Sequence, residues 1–158
     1  QRGGDAMQID YEIYAEGEAL LGWLNATVQL SGSGPFESEA VLKSFAASMQ
    51  GALEGQEIAH LKMTLSPDEG LGDIAVINLV RSDFVPELSL RLEEPVPSGQ
   101  LIVNVRAEAE PAALETALRK AVAEIGTVHP GLSARLEHLE SFKPGKPQPT
   151  HRDLAQAV

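Results

Sequence analysis

The stretch LLGWLNATVQL (residues 20–30) decides the fold class, because its second half alternates strictly between two sets of side chains. One set is apolar and the other is mostly polar: Leu24, Ala26, Val28 and Leu30 against Trp23, Asn25, Thr27 and Gln29. A period of two is typical of a β-strand with one buried and one exposed face. The stretch therefore predicts a half-buried strand, ended by the glycine-rich segment at residues 31–35.

The next segment changes from strand period to helix period. Apolar side chains recur every three or four residues and form one stripe: Val41, Leu42, Phe45, Met49, Ala52 and Leu53. Glu37 and Glu39 lie in the predicted first turn, where carboxylates favour the helix dipole. Gly55 lies where a C-terminal cap is expected, so the helix should end just before it.

Four stretches with strand character follow, and the third of them is short because Pro86 and Pro95 flank it. They are residues 57–65 (EIAHLKMTL), 74–81 (IAVINLVR), 88–92 (LSLRL) and 101–107 (LIVNVRA). Pro111 then begins a second helix at a position that tolerates proline, and Gly126 is predicted to end it. Residues 132–142 (LSARLEHLESF) fit a helix or a strand, and we favour a strand because a β-α-β unit needs a returning strand.

The order is strand, helix, two or three strands, helix, strand, which indicates an α+β domain. Two helices with one apolar stripe each can cover one face of an antiparallel sheet. The predicted fold is a ferredoxin-like split β-α-β arrangement, with an extra N-terminal hairpin strand at residues 11–14 (YEIY). The predicted boundaries are a disordered lead-in at 1–10, a single α+β domain at 11–142 and a proline-rich extended tail at 143–158.

Composition narrows the classes of function. The chain has 158 residues, a formal charge of −11 and no cysteine. Such a charge disfavours nucleic acid and anionic membranes, which need a dense basic surface. No apolar run approaches the roughly 20 residues that span a bilayer. The lack of cysteine excludes disulfides and thiolate metal sites, and it fits a cytoplasmic location.

A binding patch is predicted on the sheet face that the helices leave open. Strand alternation places there one aromatic and four polar or basic side chains: Trp23, His60, Lys62, Asn104 and Arg106. Of Asn78 and Arg81, at most one joins the patch, since an ideal strand turns them to opposite faces. The patch would bind an anion or an acidic peptide, and the alternative is an ordinary solvated sheet face.

Catalytic and metal-binding motifs are absent from the sequence. It has no phosphate loop, no G-x-G-x-x-G turn and no G-x-S-x-G elbow. The histidines are widely spaced, and only His138, beside Glu137 and Glu140, suggests a local metal site. Neighbouring strand residues point to opposite faces, which argues against that site. We therefore predict a non-enzymatic domain without catalytic residues, cofactor or metal.

Three stretches together resemble the region that follows the GTPase domain in a divergent group of CobW-type proteins, which are metal-handling GTPases of the SIMIBI class. They are AEGE (15–18) leading into LGWLNATVQL, the pair AHLKMTL (59–65) and INLVRSD (77–83), and LESFKPGKPQPTHR (139–152). The resemblance covers about residues 11–152. Lys62 is similar to a strand lysine of ordinary CobW C-terminal domains, but its flanking residues differ.

The resemblance implies an accessory domain involved in metal or cobalamin-related cofactor handling. The phosphate loop, the magnesium ligands and the cysteine-containing metal motif of the family would then lie outside this sequence. The implied partners are the GTPase domain of the same chain, a second subunit or a metalloprotein client. The alternative is a stand-alone domain that binds an anion or small molecule on the open sheet face.

Overall fold

The computed structural model describes residues 21–80 and 85–144, which form six strands and two helices. In chain order they are β1 (Gly22–Phe36), α1 (Ser38–Ala52), β2 (Ile58–Pro67), β3 (Ala75–Leu79), β4 (Glu87–Leu90), β5 (Val96–Ala107), α2 (Pro111–Val128) and β6 (Leu132–Phe142). The predicted α+β class is confirmed. The lead-in at 1–10, the strand at 11–14 and the tail beyond Pro144 lie outside the described residues.

All strands belong to one antiparallel sheet with the order β4-β3-β2-β5-β1-β6. The four strands β6-β1-β5-β2, joined through α1 and α2, have the split β-α-β arrangement that the sequence predicts. Strands β3 and β4 follow β2 in the chain and widen the sheet on its far side. The short strand predicted at 88–92 is therefore β4, at the edge of the sheet.

The apolar core fills the space between one sheet face and the two helices. The apolar set of β1, from Leu24 to Leu30, is at most 1% exposed, and so are Phe45 of α1 and Leu118 of α2. Each fully buried side chain of this size stabilises the fold by roughly 1.5–3 kcal/mol. The helices also contact each other, since Ser48 Oγ donates to Glu124 Oε1 at 2.9 Å. Neither helix of the described residues is long and apolar enough to cross a membrane.

The two helices end differently from each other. The last helical residue of α1 is Ala52, and Gly55 follows with a φ of 90°, as expected for a glycine that reverses the chain. The predicted end of α2 at Gly126 is wrong, because the helix continues to Val128 and the left-handed glycine is Gly131, with a φ of 93°. A Cβ on Gly126 would lie 3.0 Å from the Leu132 carbonyl oxygen, so this glycine permits a close approach of the returning chain.

A β-bulge explains the helix-like spacing in the last strand. Thr27 pairs with His138 whereas Val28 pairs with Leu136, so Glu137 is an extra residue on β6. Because of this insertion, both Leu136 and Leu139 pack against the core although they are three positions apart. The strand that the sequence favours for 132–142 is confirmed, and the bulge accounts for its ambiguity.

Glu39 ties the start of α1 to the segment between β4 and β5. Its carboxylate accepts hydrogen bonds from Lys43 Nζ at 2.8 Å and from Arg91 Nη1 at 2.6 Å. The hydrogen bond from Lys43, together with the nearby charges of Arg91 and Lys43, holds the pKa of Glu39 below its usual value of 4.5. Lowering of the folded-state pKa means that the ionised form stabilises the fold.

We therefore expect Glu39→Gln to lower the melting temperature above pH 4.5, where this stabilisation is complete. The difference from wild type should shrink as the pH falls through the lowered pKa, because the wild-type carboxylate then becomes neutral. Melting curves between pH 3 and pH 7 measure it. Glu54→Gln is the control, since Glu54 has no ion pair in the described part of the chain. A constant difference across this range would contradict the expectation.

Candidate functional site

The open face of the sheet carries two rows of side chains that cross the strands, because the register aligns residues of neighbouring strands. The polar row runs from β3 to β6 through Asn78, Lys62, Asn104, Asn25 and Glu140. The aromatic row lies beside it and runs from β2 to β6 through His60, Arg106, Trp23 and Phe142. Each step within a row spans one strand interval of about 4.8 Å.

The side-chain hydrogen bonds between members of the polar row all point toward Glu140. Asn104 Nδ2 donates to Asn25 Oδ1 at 2.7 Å, and Asn25 Nδ2 donates to Glu140 Oε2 at 3.3 Å. Lys62 lies beyond Asn104, is exposed, and forms no ion pair within the residues that the structure describes. The row therefore carries a cation near one end and a carboxylate at the other, with its amide hydrogen bonds pointing toward the carboxylate.

The aromatic row is held together by stacking. The Arg106 guanidinium carbon lies 5.2 Å from the centre of the Trp23 ring, and the Trp23 and Phe142 rings lie 5.9 Å apart at 37°. Such cation–π and aromatic contacts each contribute about 0.5–1.5 kcal/mol. The indole Nε1 of Trp23 is buried and has no hydrogen-bond partner among the described residues. Stacking therefore fixes the indole ring.

His60 is oriented by a hydrogen bond that it donates to Asn78 of the neighbouring strand β3. Its Nε2 lies 3.1 Å from Asn78 Oδ1, and a carboxamide oxygen only accepts, so Nε2 carries the proton. Asn78 Nδ2 in turn donates to Ser89 Oγ of β4 at 3.0 Å. This hydrogen bond fixes the plane of the imidazole and leaves its Nδ1 outside the contact with Asn78.

A pocket of about 200 Å³ opens where the two rows meet. It is lined by Trp23, Asn25, His60, Asn104, Val105 and Arg106. Four of the five residues that the sequence predicts for the patch line this pocket. The fifth, Lys62, adjoins it as the cross-strand neighbour of Asn104.

Sequence reasoning left Glu140 and Phe142 out of the patch. Both lie on the open face because the bulge at Glu137 changes the alternation of β6, which the spacing of its leucines only hints at. Asn78 lies on the open face, as the partner of Lys62. Arg81 lies outside the described residues.

No metal site is formed by the described residues. They contain no group of three or more histidine, aspartate or glutamate side chains that could hold an ion. Around the suggested site, His138 Nε2 lies 4.0 Å from Glu140 Oε1, while Glu137 occupies the bulge. A second cavity of about 280 Å³ lies between the loops at 67–73 and 91–97, and it contains none of the predicted site residues.

Comparison with known proteins gives no relative from which a function can be transferred. No protein-family model, no curated protein and no solved structure matches this chain. The resemblance to CobW-type proteins therefore depends on the three quoted stretches alone.

Proposed function

We propose that this domain is a non-catalytic binding module that recognises an anionic group on its open sheet face. The observation that carries the proposal is a pair of basic side chains at one pocket, which Arg106 lines and Lys62 adjoins. The adjacent strands β1, β2 and β5 contain no aspartate or glutamate, although the chain has 23 acidic residues. A cationic area on an otherwise acidic protein attracts an anionic ligand and orients it.

The side chains at the pocket suit a carboxylate or a similar small anion. Arg106 carries a delocalised positive charge held against the Trp23 ring, and Lys62 adds a point charge that moves on a flexible stem. The amide groups of Asn25 and Asn104 are already hydrogen-bonded to each other, so their positions are set before a ligand arrives. Less ordering is then needed on binding, which favours affinity.

Lys62→Gln is expected to weaken anion binding about three- to ten-fold without changing the fold, because the lysine is exposed. Citrate and glutarate are suitable probes, titrated into ¹⁵N-labelled protein and followed through the side-chain amides of Asn25 and Asn104. Arg106→Gln should weaken binding by at least as much. The Arg106→Gln variant also loses the contact between the guanidinium group and the Trp23 ring.

The matched control is Lys120→Gln on α2, since Lys120 is also exposed but pairs with Glu124, away from the sheet. This control is needed because multivalent anions stabilise folded proteins generally. If the Lys62 and Lys120 variants respond to citrate as wild type does, the open face is not the anion site.

The resemblance supports a second proposal, that the domain is an accessory domain of a CobW-like GTPase in cytoplasmic metal or cobalamin-related cofactor handling. It would act through contacts with the GTPase domain of the same chain, a second subunit or a metalloprotein client. Lys62, which is similar to the strand lysine of CobW C-terminal domains, is exposed on the open sheet face, where a docked partner would meet it.

The gene that encodes the chain tests this second proposal. A phosphate loop encoded in the same reading frame, upstream of residue 1, would support it. A reading frame that starts at Met7, with no GTPase domain before it, would refute it and leave the anion-binding proposal untouched.

A further inference from the structure

We infer that the partner is a protein segment that lies across the strands, with a carboxylate side chain at the Lys62 side of the pocket and a basic side chain at Glu140. The inference rests on the proposed anion recognition by the open face. It adds the class of the partner, a peptide rather than a free small anion, and it adds the spacing of opposite charges along that peptide.

The size of the pocket favours one side chain of a larger partner. Pockets that enclose small molecules usually measure about 300–1,000 Å³. The pocket between the two rows measures about 200 Å³, below that range, which suits the end of one acidic side chain. Trp23 and Arg106 belong to the residue types that dominate protein–protein contacts, so the flanking surface suits a polypeptide.

The polar row sets the spacing of opposite charges on the partner. Lys62 lies on β2 and Glu140 on β6, three strand intervals apart through β5 and β1. Three intervals correspond to roughly 14 Å, and an extended chain advances about 3.3 Å per residue. A segment that crosses the strands therefore places opposite charges about four residues apart, with the acidic one toward Lys62.

The same arrangement disfavours a nucleic acid. A polyphosphate that reached the pocket along the polar row would bring another phosphate to Glu140, which is 53% exposed. The protein as a whole carries −11, which adds to this repulsion. A peptide avoids it, because its negative charge is confined to one residue.

Two peptides of identical composition test the spacing of the charges. The first is acetyl-Ser-Glu-Thr-Ser-Thr-Lys-Ser-amide, with glutamate and lysine four positions apart. The second is acetyl-Ser-Thr-Glu-Lys-Ser-Thr-Ser-amide, with the charges adjacent. We expect the first to bind about three- to ten-fold more tightly in a ¹⁵N titration that follows the Trp23 indole resonance.

Glu140→Lys should remove this preference and favour a peptide in which the lysine is replaced by glutamate. Glu140→Gln gives a milder second variant if the reversal disturbs the edge strand. Equal binding of both peptides by wild type, or a preference that survives both Glu140 variants, would overturn the inference while citrate binding at Lys62 could still stand. If neither peptide nor citrate binds in a Lys62-dependent way, the proposed function fails as well.

Discussion

Phe45→Ala is expected to lower the free energy of unfolding by about 3–5 kcal/mol, the usual cost of removing a buried phenylalanine. Phe45 lies in α1, faces the sheet and is 0% exposed. It is the largest of the fully buried side chains in the described residues, in a chain with only 4% aromatics. The aliphatic side chains around it cannot fill the space that its ring leaves.

A domain of this size is typically stable by about 5–15 kcal/mol, so the loss removes a large share of the total. Urea unfolding monitored by circular dichroism measures it. Phe142→Ala is the matched control, because Phe142 is 37% exposed and contacts Trp23 on the open face. Its loss should cost only about 1 kcal/mol. Equal losses for the two variants would mean that the core does not lie between α1 and the sheet.

Gly22→Ala should destabilise the protein by about 3 kcal/mol, at the upper end of what overpacking costs. A Cβ at Gly22 would lie 2.2 Å from the carbonyl oxygen of Ala109 and 3.2 Å from Leu114 Cδ1. A carbonyl oxygen cannot rotate away as a side chain does, so β1 or the start of α2 must move. The melting temperature is the measurement.

Two other glycines serve as controls for this substitution. A Cβ at Gly34 of β1, or at Gly51 of α1, would meet nothing within 4 Å. Gly34→Ala should change stability little, and Gly51→Ala should raise it by about 0.5–1 kcal/mol, because alanine has less conformational freedom to lose in a helix. Destabilisation of similar size at all three positions would point to a general effect of alanine and not to the close approach at Gly22.

Local patterns predict most of this fold correctly. The alternation in β1 identifies its buried face, because each side of a strand meets a single environment. The same alternation in β2 and β5 places His60, Lys62, Asn104 and Arg106 on the open face. The order of the strands in the sheet then brings these four side chains together, since β5 lies between β1 and β2.

Features that depend on contacts between distant parts of the chain could not be predicted. The end of α2 is one such feature. Gly126 does not cap the helix; its lack of a side chain leaves room for the Leu132 carbonyl oxygen. The directed hydrogen bonds of the polar row are another, since they require the registers of β5, β1 and β6 together. The pairing of His60 with Asn78 likewise depends on where β3 lies beside β2.

The bulge at Glu137 affects how readily another strand could add to the edge of the sheet. In the described part of the chain β6 forms one edge of the sheet, and a long regular edge invites another chain to add to it. Deletion of Glu137 would leave Leu136 and Leu139 facing the core and would give an uninterrupted, flatter edge. The extra residue thus makes the β6 edge a poorer template for the addition of another strand.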